Sequence, residues 1–257
     1  MRKNGYGYSK DGPSDLSASL KMKDGSNVIV NHPRSIMVSI GYYLTAKNLE
    51  DYSISDLNLL CLMSDNLSKK IENEFNINDF KLVFSEKEGI LFSLVRKFKP
   101  KIVIETGVAY GISSSAILLA MSLNGAGRLI SIDLPNKIRS GYTYKDGTKD
   151  PIFIPEGREP GWIVPNELRH FWTLELGKSS DILPKTNYTI DMFLHDSEHS
   201  YDNMLFEFEW AYEHLSPGGI ICSDDIHWNN AYLDFVDKYP FNEVFPRSIK
   251  NGFDRKI

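Results

Sequence analysis

From Lys101 to Tyr239 the chain alternates short β-branched runs with amphipathic segments, and its first strand-to-helix junction reads Glu105-Thr-Gly-Val-Ala-Tyr-Gly-Ile-Ser114. Alternation of this kind predicts a parallel, doubly wound α/β sheet, because parallel neighbours need a crossover and a helix supplies it. The expected strands are 101–106, 128–134, 172–177, 190–196 and 219–224. The expected helices are 112–123, a short one near 180–183, 202–215 and 229–239. On the helix at 202–215, Leu205, Phe208, Ala211, Tyr212 and Leu215 form the expected buried side. Two last runs, 243–247 and 253–257, flank Lys250-Asn-Gly252, and Asn-Gly is a strong hairpin signal. The fold class is therefore a Rossmann-like, mostly parallel sheet ending in an antiparallel hairpin.

The first third reads differently. Residues 1–30 are polar and aperiodic, as in a mobile tail. Residues 31–84 read as a helical cap, with Leu57, Leu60, Met63, Leu67, Ile71 and Phe75 on one stripe that suits core packing or a homodimer seam. A further helix opens at Ser85-Glu-Lys-Glu88, which has the form of a capping box, and closes near Lys99-Pro100. The main domain is expected over 85–257.

A net charge of −5 without a basic block disfavours nucleic acid as a partner. No apolar run approaches the roughly 20 residues of a membrane span, and the N-terminus lacks the apolar core of a signal peptide. Cys61 and Cys222 each lie in apolar surroundings, as reduced thiols do. Together these features predict a cytoplasmic protein.

Glu105, Gly107 and Gly111 place glycines where a backbone must turn sharply and approach a ligand, with a helix N-terminus aimed at it. The spacing is not that of a dinucleotide site, and an acidic residue entering the loop would repel a pyrophosphate but suit an ammonium. Asp133 ends the second strand, where a carboxylate accepts ribose hydroxyls. The competing readings are a loop-bracing carboxylate for Glu105 and a turn residue for Asp133. Residues 135–165, rich in Pro, Gly and Tyr, fit neither helix nor strand and read as a lid over the ligand edge or a surface excursion.

A second constellation combines Asp196 and His199 after the fourth strand with Asp224 and Asp225 after the fifth. Strand ends of such sheets converge, and three carboxylates close together repel unless a cation intervenes. A hard divalent ion, Mg2+ first, is the natural solution. Helix capping for Asp224 and Asp225, bracing of the glycine loop without a metal for Asp196, and a cap or core place for His199, are the alternatives. His195 reads as a packed or hydrogen-bonded histidine.

Residues 103–114 and Leu129-Ile-Ser-Ile-Asp-Leu-Pro135 resemble the first two motifs of class I S-adenosylmethionine-dependent methyltransferases. The acidic set resembles that of metal-dependent O-methyltransferases of the catechol, macrocin and mycinamicin types. Asp196-Ser-Glu-His-Ser-Tyr201 and Pro217-Gly-Gly219 resemble a bacterial family found among polysaccharide genes. The resemblance implies S-adenosylmethionine held by Glu105, Gly107, Gly111, Ser113, Ser114, Asp133, Ser179 and Asp196. It also implies a metal on Asp196, Asp224 and Asp225, with Asp196 and His199 catalytic. Lys178 stands where relatives carry an acidic residue near adenine. The activity implied is methylation of a hydroxyl on a small-molecule or sugar acceptor. A cephalosporin-hydroxylase-like oxygenase and a non-catalytic cofactor-binding protein are the rivals.

Overall fold

The structure is a computed structural model, and it describes residues 18–21, 27–30, 42, 45, 49, 53–76, 84–139, 143, 147, 154–243 and 252–256. Within the stretch read as a tail, β1 (Ala18–Lys21) and β2 (Asn27–Val30) pair antiparallel. The β-branched run Val28-Ile-Val30 favours a strand over the aperiodic arm expected there.

Helix α1 (Ile54–Phe75) buries Leu57, Leu60, Leu67 and Ile71 of the predicted stripe, and its Met63 and Phe75 pack half-buried against the same core. Helix α2 (Glu86–Phe98) opens on the capping box of Ser85 and Glu88 and ends at Lys99 in the left-handed conformation. Arg96 Nε donates to Asp56 Oδ2 at 2.7 Å and ties α2 to α1.

The sheet follows: β3 (Ile102–Thr106), β4 (Arg128–Asp133), β5 (Trp172–Leu176), β6 (Ile190–His195), β7 (Leu215–Ser223), β8 (Phe241–Glu243) and β9 (Gly252–Lys256). Its order is β5-β4-β3-β6-β7-β9-β8. Neighbours from β5 through β7 run parallel, and β9 is antiparallel to both β7 and β8. The mostly parallel sheet with a reversed end is the expected one. Gly252, read as part of the hairpin turn, is the first residue of β9 and stands opposite Ser223, while Lys250 and Asn251 lie outside the described residues. A Cβ there would meet the Tyr232 ring at 2.0 Å, so this glycine makes room for a core aromatic.

Crossovers are made by α3 (Ile112–Asn124), the short α4 (Asn136–Arg139) and α5 (Ser179–Ile182), and α6 (Tyr201–His214), with α7 (Ala231–Lys238) after β7. Successive strand residues face opposite layers. Val103 packs with α1, α2 and α3, whereas Ile104 packs with α6 and α7. Helix α3 lies between the sheet and the N-terminal helices, so Ser113 through Met121 are all buried. Phe208, Ala211 and Leu215 are buried as expected, Leu205 and Tyr212 pack half-buried against the same core, and Met204, Glu207 and Trp210 widen the buried face.

The segment 154–165 packs into the core at Ile154 and at residues 160–164, with residues 156–159 exposed between them. Ile154, Trp162, Ile163 and Val164 are buried, and Lys70 Nζ on α1 donates to the carbonyls of Trp162 and Ile163 at 3.0 and 3.2 Å. The middle of the predicted lid, apart from 143 and 147, lies outside the described residues, as do the cap residues 31–41.

Candidate functional site

The parallel register stops β3, β6 and β7 at one level, with Thr106 opposite His195 and His195 opposite Ser223. The next residues close a ladder: Asp196 N donates to Thr106 O, and Asp224 N to His195 O, each at 2.9 Å. Asp196 and Asp224 are thereby neighbours beside the glycine loop.

The loop itself is tightly held. Gly107 has φ +82°, and a Cβ on it would lie 1.9 Å from the Asp196 carbonyl oxygen. Gly111 has φ +95°, and its Cβ would lie 2.8 Å from Gly161 Cα. Gly161 N donates to Ala109 O at 2.9 Å and Ile163 N to Tyr110 O at 3.2 Å, so the end of the 154–165 segment packs on the loop. Both glycines are thus required by close chain approaches, a reason the sequence pattern did not distinguish from ligand approach.

Glu105 is fully buried and accepts hydroxyls from Ser113 at Oε1 and from Ser114 and Ser131 at Oε2, each at 2.6 Å. Burial raises its carboxyl above the ordinary range, and the three serines oppose that rise. In this arrangement Glu105 braces the start of α3, and the hydroxyls of Ser113 and Ser114 face it. The Asp133 carboxylate also has protein partners. Its Oδ2 accepts Val108 N and Ala109 N at 2.8 Å, and its Oδ1 accepts Leu134 N at 2.7 Å and the Arg139 guanidinium. The N-terminus of α3 begins at Gly111 without a side-chain cap.

The acidic cluster is organised around Lys87, a residue the sequence reading did not single out. Its ammonium donates to Asp196 Oδ2 at 2.7 Å and to Asp224 Oδ2 at 2.6 Å. Asp225 has φ +48°, and its Oδ1 lies 3.8 Å from His227 Nδ1. The expected trio of Asp196, Asp224 and Asp225 is not gathered. Among the described residues no three His, Cys, Asp or Glu side chains form a metal-ligand set. Burial pushes the Asp196 carboxyl up to about 8 against the pull of Lys87, and the charge of Asp224 adds to the rise. Burial works the same way on Asp224, but Lys87 and the Asp225 amide outweigh it and hold Asp224 low. Burial opposes the charge on Lys87, yet Asp196 and Asp224 keep it protonated well above its ordinary value.

Beside this cluster sit two histidines. The ring centroids of His195 and His199 are 5.1 Å apart, and each Nε2 is buried without a hydrogen-bond partner among the described residues. His195 Nδ1 lies 2.6 Å from Glu207 Oε2, which also accepts Thr106 Oγ1 at 2.5 Å. Burial would raise the Glu207 carboxyl, but His195, Ser179 and Thr106 hold it below the usual range. Ser179, expected near a nucleobase, thus contacts Glu207. Burial and neighbouring His195 lower His199 to about 3, so its imidazole is neutral. Trp228, 56% exposed, lies against His199 at 5.0 Å. A separate cleft lined by Lys101, Asp191, Gly218 and Arg255 lies at the opposite strand ends, away from all of these groups.

Lys87 carried one signal in the sequence. It stands in the first turn of α2, where the helix dipole disfavours a cation unless carboxylates answer it.

A family model described as a methyltransferase domain matches residues 104–226. That segment contains every predicted site residue and excludes Lys87 and Trp228. No protein of curated function matches the chain in sequence. Among solved structures, the O-methyltransferase TomG from Streptomyces achromogenes, in complex with SAM, is 15% identical. The alignment covers 87% of this chain and 97% of that one, with a TM-score of 0.52. An O-methyltransferase from Bacillus cereus in complex with SAH is 13% identical over 85% of this chain and 98% of that one, with a TM-score of 0.51. A SAH-bound methyltransferase from Podospora anserina is 14% identical over 91% and 99%, with a TM-score of 0.50. The fold is that of the class I methyltransferases.

Proposed function

We propose that this chain transfers the methyl group of S-adenosylmethionine to a hydroxyl oxygen of a small-molecule or saccharide acceptor. The observation that carries the reading is the match of a methyltransferase domain to residues 104–226. This is the segment that brings the glycine loop, Asp133, Asp196 and Asp224 to one edge of the sheet.

The residues fit the cofactor. The uncapped N-terminus of α3 offers amides to a polar ligand. Asp133 would take the ribose hydroxyls once Arg139 yields. Gly107 and Gly111 would shape the methionine side, with Glu105, Ser113 and Ser114 fixing the loop from behind. Bound there, S-adenosylmethionine supplies a methyl group activated on a positively charged sulfur.

The acceptor hydroxyl must lose its proton as its oxygen takes the methyl group and the sulfur keeps the bonding pair. Asp196 and His199 are the proton acceptors within reach of the strand ends. Asp196, at about 8, is matched to neutral pH. His199, at about 3, is a neutral imidazole that takes a proton less readily. The exposed Trp228 beside His199 offers an aromatic wall to a sugar or aryl acceptor.

A divalent ion on Asp196, Asp224 and Asp225 is the source of positive charge that the resemblance implies. The residues as arranged do not fit one, because the Lys87 ammonium fills the position between the two carboxylates.

Titration calorimetry with S-adenosylhomocysteine, followed by product mass across an acceptor panel, tests the reading. A product heavier by one methylene supports it. A gain of one oxygen supports a hydroxylase instead, and cofactor binding without turnover supports a binding protein.

A further inference from the structure

Two carboxylates from adjacent strand ends meet one cation that the chain supplies itself. Lys87 Nζ lies 2.7 Å from Asp196 Oδ2 and 2.6 Å from Asp224 Oδ2, and its side chain is only 14% exposed. A magnesium or calcium ion bridging the same two oxygens would lie about 2.0–2.6 Å from each. It would overlap the ammonium and set two positive centres in contact, so ion and lysine exclude each other.

The lysine is also well anchored. The capping box of Ser85 and Glu88 fixes the first turn of α2, and the next residues of that helix, from Gly89 to Val95, are buried. A cation in that turn opposes the helix dipole, an unfavourable placement that the two aspartates offset. Lys87 lies outside the matched segment 104–226, so the cation comes from the N-terminal part of the chain. Asp225, the third expected ligand, has its Oδ1 3.8 Å from His227 Nδ1, and Lys87 bridges only the other two.

We propose that Lys87 is the resident cation of the acceptor site, bridging Asp196 and Asp224 in place of a divalent metal and making methyl transfer independent of one. The role as positioning residue for the transfer rests on the function proposed above; the exclusion of metal does not. With Lys87 in place, the two carboxylates keep fixed positions beside the glycine loop, and their charge is partly neutralised without an ion from solution.

The test uses the full chain and Mn2+ as the probe, with free Mn2+ followed by electron paramagnetic resonance. The wild type is expected to bind no Mn2+ tighter than about 1 mM, the weak end of protein sites for hard cations. Lys87→Ala, and Lys87→Met as a bulkier replacement, are expected to gain a site at least about tenfold tighter. Adding Asp224→Asn should remove that site, and Lys87→Arg should keep Mn2+ out. Stoichiometric Mn2+ binding by the wild type at micromolar concentration would overturn the proposal, whether or not any variant folds. So would folded Lys87→Ala and Lys87→Met proteins that gain no site. S-adenosylhomocysteine calorimetry on the wild type separates the two readings. Failure there removes the methyl transfer and leaves the Mn2+ result to decide the lysine.

Discussion

Glu105 and Ser131 stand opposite each other on β3 and β4, and the serine hydroxyl donates to Glu105 Oε2 at 2.6 Å. The same hydroxyl accepts Trp172 Nε1 at 2.8 Å, so three strands and the start of α3 are joined through one buried carboxylate. Glu105→Ala leaves three hydroxyls without their acceptor and should lower unfolding stability by about 3 kcal/mol. Glu105→Gln keeps the volume and one acceptor oxygen and should cost about 1 kcal/mol. Urea unfolding at constant m-value measures both. Equal losses would show that a neutral amide cannot stand in for the carboxylate, so that the three serines depend on its charge or on both of its oxygens.

Gly107→Ala should be worse than its size implies. The new methyl would lie 1.9 Å from the Asp196 carbonyl oxygen and 2.4 Å from its carbon, both backbone, at a φ of +82°. Neither atom can move without displacing the strand end that carries Asp196. A loss of about 3 kcal/mol or more is expected, together with loss of S-adenosylhomocysteine binding. Gly157→Ala, at φ +75° but with open space around it, controls for backbone strain alone. Similar losses at the two positions would refute the close-approach argument.

The strands β3 to β7 were legible in the sequence to within a few residues, because β-branched runs bounded by polar turns carry their own period. The cap of α2 was legible for the same local reason, since Ser85 and Glu88 need only each other. What stayed hidden is long-range. Lys87 and Asp224 are 137 positions apart, and no local pattern says that a lysine in a first turn reaches a strand end on the far side of β3 and β6. The aspartates were legible as a cluster, but the identity of their cation was not. Gly252 misled because a glycine that makes room for Tyr232 reads the same as one that makes a turn.

Stability should depend on His199 at mildly acidic pH. Burial and the neighbouring His195 hold this imidazole at about 3, against an ordinary 6.5, with Asp224 and Glu207 opposing and Lys87 assisting. Between those values the unfolded chain binds a proton that the folded one does not. The contribution is therefore complete above 6.5 and is lost as pH falls toward 3, at about 1.4 kcal/mol per pH unit for a single proton. The difference in unfolding free energy between wild type and His199→Gln should fall with that slope below 6.5 and be level above it. A difference independent of pH from 7 down to about 4 would mean that His199 is not held neutral by the fold.

Arg139 should compete with the cofactor. Its guanidinium bonds Asp133 Oδ1, while Val108, Ala109 and Leu134 amides take the remaining acceptor positions of that carboxylate. A carboxylate has about four such positions, so ribose hydroxyls reach Asp133 only by displacing a donor. Arg139, on the short helix α4, is a donor that is not built into the loop or strand end. Removing it leaves Asp133 with three backbone donors, which limits the penalty for an unpaired buried charge. Arg139→Met should therefore tighten S-adenosylhomocysteine binding, by about tenfold if one charged hydrogen bond no longer has to break, while lowering unfolding stability modestly. Asp133→Asn should weaken binding in either background. Calorimetry on the four proteins of this cycle decides the matter: weaker binding by Arg139→Met would place the guanidinium among the groups that hold the cofactor rather than among those it displaces.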